Sequence, residues 1–229
     1  MSHAVPQPVS LQDNDCVVVV GGGPAGSFFA IHLLQEAERL HRHLDVVIVE
    51  KRGLVDLGTD GLQSRGCNFC AGGISPRLHA VLDERGLIVP EEVVQERIDY
   101  VWIQGQWKNF RLRVPKDMKM YSVFRGSLPN RRNGRPGGFD AFLLGEAAKR
   151  GARIMFGKAE ALVYTSSGMP RLMLRNHAGE LDSLDAGFVA IAIGINSHTG
   201  HDYRDDALIT SIKRLKSASS PCYISSTRG

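Results

Sequence analysis

The chain has 229 residues, 43% hydrophobic and 23% charged, with 25 glycines and a formal net charge of +4. That is enough for one large domain or two small ones around a real apolar core; a disordered chain is excluded, and so is a collagen-like one, since the glycines have no three-residue period. The longest apolar runs, 16–20 and 188–193, fall far short of the roughly 20 residues that a membrane-spanning helix needs. The amino-terminal stretch, with Pro6, Pro8, Asp13 and Asp15, lacks the basic start and apolar segment of a signal peptide, so a cytoplasmic location is expected. Cys16, Cys67, Cys70 and Cys222 are too sparse for a disulfide scaffold and are expected to be reduced. A basic cluster at Arg131, Arg132 and Arg135 reads as a solvated loop or as a docking site for an anionic ligand or lipid head group. No basic helix or interleaved aromatic stripe accompanies it, so nucleic-acid binding is not expected.

Residues 16–20, Cys-Val-Val-Val-Val, are short, β-branched and ended by glycines, which predicts a fully buried parallel strand. From 25 to about 40 the apolar residues Phe28, Phe29, Ile31, Leu33, Leu34, Ala37 and Leu40 recur at helical spacing, which predicts an amphipathic helix packed on a sheet. Residues 45–50 are a second buried strand and complete a β-α-β unit. Residues 51–75 hold no periodic pattern and are expected to form a long functional loop. A short helix follows over 76–86, with Leu78, Val81 and Leu82 inward, Pro76 in its first turn and Gly86 at its end. Alternation around 98–103, 107–114 and 118–124 predicts strands of a second sheet, in which Trp102 and Trp107 are expected to pack rather than line a substrate channel. A helix over 139–150 closes at Gly151, a short strand covers 153–156, and 159–165, 171–175 and 181–183 form an antiparallel meander. Residues 188–193 read as a third buried strand, and 201–229 as an irregular tail.

The chemistry lies in the first unit: strand, Gly21-x-Gly23-x-x-Gly26, helix, strand, Glu50. Gly21 allows the tight turn, Gly23 lets the backbone approach a pyrophosphate, Gly26 lets the helix pack on the strand, and Ala30 stays small beneath it. Glu50 can accept both hydroxyls of an adenosine ribose and would repel a 2′-phosphate. Strand, helix, second strand and acid all fall in place for a dinucleotide site, but these physics do not choose between NAD and FAD. Cys67 and Cys70 form a Cys-x-x-Cys pair that reads as a redox dithiol, as half of a zinc site lacking two further ligands, or as one useful thiol beside an incidental one.

The segments Val17–Ser27 and Val47–Arg52 resemble the FAD-binding start of the glutathione-reductase and p-hydroxybenzoate-hydroxylase superfamily. Within it, Cys70-Ala71-Gly72-Gly73-Ile74-Ser75, Arg135-Pro136-Gly137-Gly138-Phe139-Asp140 and Ala192-Ile193-Gly194-Ile195-Asn196-Ser197 resemble motifs of the geranylgeranyl reductase family. The resemblance implies an α/β, Rossmann-like FAD-binding domain with a central parallel sheet and β-meander over 1–90 and 135–200. Residues 91–134 would be part of a second, antiparallel-sheet substrate domain. It further implies that Gly21, Gly23, Pro24, Ala25 and Gly26 carry the pyrophosphate and that Glu50, with Lys51 and Arg52, serves the ribose. Gly72, Gly73, Gly194 and Asn196 would let backbone approach the flavin, Arg135 would hold or support its phosphate, and Cys70 would lie near the reacting atoms.

The activity implied is reduction of a carbon–carbon double bond in an isoprenoid or lipid-like, apolar small molecule, with hydride from reduced FAD. NAD(P)H is allowed as electron donor, and peripheral membrane contact is allowed with such a substrate; the oligomeric state is not read. Two departures matter. Ile193 stands where the hydroxylase branch generally carries Asp, which counts against an aromatic hydroxylase of the p-hydroxybenzoate type, and no Gly-Asp dipeptide occurs to supply the family's third flavin motif, which favours an inert fragment. The alternatives are an FAD-dependent monooxygenase and an inert nucleotide-binding fragment of a longer protein.

Overall fold

The computed structural model describes residues 10–52, 72–126 and 138–194. Strand β1 (Cys16–Val20) runs into helix α1 (Pro24–Arg39), which returns to β2 (Asp45–Glu50). After β3 (Gly73–Ile74) and α2 (Pro76–Glu84) come β4 (Val94–Arg97), β5 (Tyr100–Gln104), β6 (Asn109–Arg113) and β7 (Tyr121–Val123). Helix α3 (Phe139–Lys149), β8 (Arg153–Tyr164), β9 (Pro170–Asn176), β10 (Leu181–Asp185) and β11 (Phe188–Ile191) complete the described chain.

The main sheet has the order β10-β9-β8-β2-β1-β11. Its β8-β2-β1-β11 part is parallel, and β9 and β10 extend it antiparallel. This is the expected mixed α/β architecture with separate antiparallel sheets. The apolar runs at 16–20 and 45–50 exist because both faces of the central strands are covered. Val17, Val19, Val46 and Ile48 point into a core shared with α1 and α3, while Val18, Val20, Val47 and Val49 meet Leu162, Leu172 and Leu174 on the other face. Each such side chain contributes about 1.5–3 kcal/mol by leaving water. Pro24 opens α1, where its missing N–H costs nothing. Ala30 is fully buried against the sheet, as expected for a residue under a close helix crossing.

Several expectations are corrected. The separate strands predicted at 153–156 and 159–165 are one strand, β8, whose first half pairs with β2 in parallel and whose second half pairs with β9 antiparallel, with a register shift between Ala159 and Ala161. The partner changes at Gly157, ahead of the bulge, which lies within the antiparallel pairing with β9. The predicted single second sheet is two sheets: β3-β7-β4 and the hairpin β5-β6. Strand β11 is half-buried rather than buried, because it is an edge of the main sheet. Val81 is exposed rather than inward, while Leu82 is buried as expected and Leu78 is half-buried. Trp102 and Trp107 are 62% and 88% exposed, so they pack neither in a core nor against a covering layer. Cys16 is half-buried, and burial raises its thiol pKa.

Candidate functional site

Three chain ends converge at the carboxyl edge of the parallel strands: Gly21–Gly23 after β1, Glu50–Arg52 at the end of β2, and Ala192–Gly194 after β11. Gly21 donates its N–H to the Val49 carbonyl at 2.8 Å, and Ala192 donates to the Val20 carbonyl at 2.8 Å. Gly21 has φ +109°, and a Cβ there would stand 2.5 Å from the Ala192 oxygen, so conformation and space both require glycine. At Gly26 a Cβ would lie 1.9 Å from the Gly21 carbonyl oxygen. Gly26 therefore sets how closely α1 seats on the turn, as the motif predicts.

Gly23 is different. It is the N-cap of α1, makes no side-chain cap, and a Cβ there would meet only Arg125 Nη2, at 3.9 Å. No acid sits in the first turn of α1. The helix thus presents backbone N–H groups, the positive end of its dipole and a guanidinium toward a place where glycine keeps the approach open. That combination favours a phosphate.

Glu50 is buried and spans the site from the β2 side. Its Oε2 accepts from the Gly22 N–H at 2.6 Å and its Oε1 from the Arg52 N–H at 2.8 Å. The carboxylate thereby fixes the glycine turn, and each oxygen keeps a further lone pair for a ligand hydroxyl. Ser27, fully buried, ties the same turn from below through its hydroxyl to the Gly22 carbonyl at 3.2 Å.

Arg125 is a site residue that sequence reasoning missed. It follows β7, whose Ser122 and Tyr121 pair with Gly73 and Ile74 of β3, so Gly73 and the arginine facing Gly23 are carried by neighbouring strands of one sheet. Asp140, 1% exposed in the first turn of α3, holds Arg125 by two hydrogen bonds of 2.9 Å. The backbone reinforces the pairing, since Asp140 N–H donates to the Arg125 carbonyl at 3.0 Å. The signals were present: a buried acid opening a helix, and an arginine leaving a strand.

The remaining nominated residues fall in three groups. Pro24 and Ala25 form the first turn of α1, and Lys51 and Arg52 are exposed beside Glu50. Gly72 has φ +61° and a Cβ there would lie 1.9 Å from the Val123 oxygen, so its glycine serves packing on β7. Gly73 and Gly194 have open space where a side chain would be. Cys67, Cys70, Arg135 and Asn196 lie outside the described residues. Beside β3, burial and then the Asp83 charge push the Tyr121 phenol above its ordinary pKa.

No family model matches the sequence, and no curated protein matches it. Solved structures do match in fold. A flavoprotein/dehydrogenase from Cytophaga hutchinsonii aligns over 78% of this chain with a TM-score of 0.53 and 19% identity. The myxobacterial chondrochloren halogenase CndH, described as FAD-dependent, aligns over 81% with a TM-score of 0.55 and 13% identity. The anhydrotetracycline hydroxylase OxyS from Streptomyces rimosus aligns over 79% with a TM-score of 0.50 and 17% identity. The chain spans 39%, 38% and 32% of those proteins respectively.

Proposed function

We propose that this chain is the FAD-binding part of a flavin-dependent oxidoreductase of the monooxygenase kind. The observation that carries the cofactor is the juxtaposition of the open N-cap Gly23, Arg125 and the buried Glu50 at one end of the parallel strands. The residues present fit a dinucleotide: Gly23 leaves room where Gly21 and Gly26 leave none, and a carboxylate lies at the end of β2 where an adenosine ribose would sit.

In this reading Gly23, Pro24, Ala25 and Arg125 hold the pyrophosphate, Glu50 accepts from the ribose, and Lys51 and Arg52 flank it. The Gly72–Gly73 and Gly194–Asn196 backbones would approach the ring system. Asp140 keeps Arg125 extended toward Gly23, and Arg125 takes the anchoring role that the resemblance gave to Arg135. When bound, FAD supplies reversible acceptance of a hydride and, once reduced, reactivity toward oxygen. The division into a FAD unit of 1–90 and 135–200 and a substrate unit beginning at 91–134 belongs to the same proposal.

The oxygen-using class is favoured over the alkene reductase because the FAD-dependent halogenase and the hydroxylase share this fold. The reductase reading, with Cys70 near the reacting atoms, rests on sequence resemblance alone. The test is to load the purified chain with FAD, add NAD(P)H, and follow oxygen and reduced nicotinamide together. Oxygen consumption matching nicotinamide oxidation supports the proposal. Flavin reduction that persists in air, with turnover of an added isoprenoid alkene, would replace it with the reductase.

A further inference from the structure

The exit of β7 and the first turn of α3 meet backbone to backbone beside Arg125. Phe139 donates its N–H to the Phe124 carbonyl at 2.8 Å, and Asp140 donates to the Arg125 carbonyl at 3.0 Å. Two of the N–H groups that open α3, which have no acceptor inside a helix, are therefore satisfied by the residues leaving the strand. Glycine makes this approach possible. A Cβ at Gly138, the N-cap of α3, would stand 2.7 Å from the Gly126 carbonyl oxygen and 2.9 Å from that of Arg125, both backbone atoms that no rotamer change can clear. The φ of −91° and ψ of 140° at Gly138 are open to any residue, so space alone excludes a side chain. Gly138, Phe139 and Asp140 are all buried.

The same turn fixes the far end of the arginine. Asp140 holds the guanidinium through Nε and Nη2, each at 2.9 Å, and Nη2 is the atom that a Cβ on Gly23 would meet at 3.9 Å. Arg125 is thus gripped by α3 both at its carbonyl and at its guanidinium. An arginine side chain loses much rotamer freedom when it is held, and here the fold has fixed it ahead of any ligand. Helix α3 in turn shares the core with α1 through Phe139, Leu143, Leu144 and Ala147. The element that grips Arg125 therefore also rests on the helix whose N-cap the guanidinium faces.

We propose that Gly138 is a positioning residue of the anion site: by letting the exit of β7 lie against α3, it sets the distance between the Arg125 guanidinium and the N-cap of α1, and so the affinity for a diphosphate, a proposal that rests on the flavin reading for the nature of the ligand. A glycine that served packing alone would, when replaced, weaken binding to the same degree at every ionic strength. One that places a guanidinium must weaken the part of the interaction that salt screens. Gly145 supplies the contrast, since it lies on the same helix with open space where its Cβ would be.

The experiment titrates FAD into the full chain at low and at high salt, following flavin fluorescence, for the wild type, Gly138→Ala, Arg125→Ala, the double variant G138A/R125A and Gly145→Ala. The wild type should bind more weakly as salt rises. Gly138→Ala should weaken binding about tenfold at low salt and flatten the salt dependence to that of Arg125→Ala. The double variant should bind no worse than Arg125→Ala alone, because both changes act through one guanidinium. Gly145→Ala should match the wild type. Unchanged binding by Gly138→Ala, losses that add in the double variant, or weaker binding that keeps the wild-type salt dependence each overturn the proposal and leave the flavin reading standing. A wild type that binds no FAD overturns both. Should Gly138→Ala lose its fold, hydrogen exchange on the wild type decides: FAD should slow exchange at the Phe139 and Asp140 amides, which cross the junction, and equal rates with and without FAD overturn the proposal.

Discussion

At Gly21 and Gly26, beside the carboxyl end of β1, a single methyl group has nowhere to go, whereas on β5–β6 side chains hang in water. A Cβ at Gly26 would overlap the Gly21 carbonyl at 1.9 Å, and Val17, Val18 and Val19 are fully buried. The hairpin, by contrast, leaves Ile103, Phe110 and Leu112 exposed. The first region is shaped by its own chain, and the second keeps its apolar side chains uncovered among the described residues. Substitutions should therefore act on folding and cofactor in the one, and on neither in the other.

The largest effect is expected at Gly26→Ala. Backbone faces backbone there, so α1 must shift, costing about 3 kcal/mol or more and removing flavin retention; urea unfolding and a desalted flavin spectrum check both. Asp140→Ala should follow at about 2–3 kcal/mol, because it removes the buried carboxylate that holds the Arg125 guanidinium by two hydrogen bonds, and Asp140→Asn should be milder. Glu50→Gln comes next, at about 1–2 kcal/mol: the amide keeps one acceptor for the Gly22 and Arg52 N–H groups and turns a donor toward the other. It should also weaken FAD binding, seen by titrating flavin fluorescence. Ile103→Ser on the hairpin should change stability by no more than about 0.5 kcal/mol, since the side chain is already exposed. A large loss there would erase the contrast between the two regions.

The same contrast decides what the sequence disclosed. The β1–α1–β2 unit was readable because each of its signals, β-branched runs, helical periodicity and glycine spacing, has a local cause that packing then reinforces. The end points of β1 and β2 match the expected ones for that reason. Strand β8 was misread as two because its break in pattern at Gly157 marks a change of partner rather than a turn. The hairpin was read as part of a packed sheet because alternation reports pleating, not what covers it. In the site, Gly21, Gly26 and Glu50 follow from a local motif, whereas Arg125 joins Gly23 across a long sequence separation and through Asp140, a pairing that no spacing rule contains.

The most direct test of the central claim is to mix the purified chain with FAD, desalt it, and record the visible spectrum beside that of Gly26→Ala. A flavin band near one per chain that is lost in the variant is the predicted result. A colourless chain, or a band that survives Gly26→Ala unchanged, would contradict the assignment of the glycine turn, Arg125 and Glu50 as a flavin dinucleotide site.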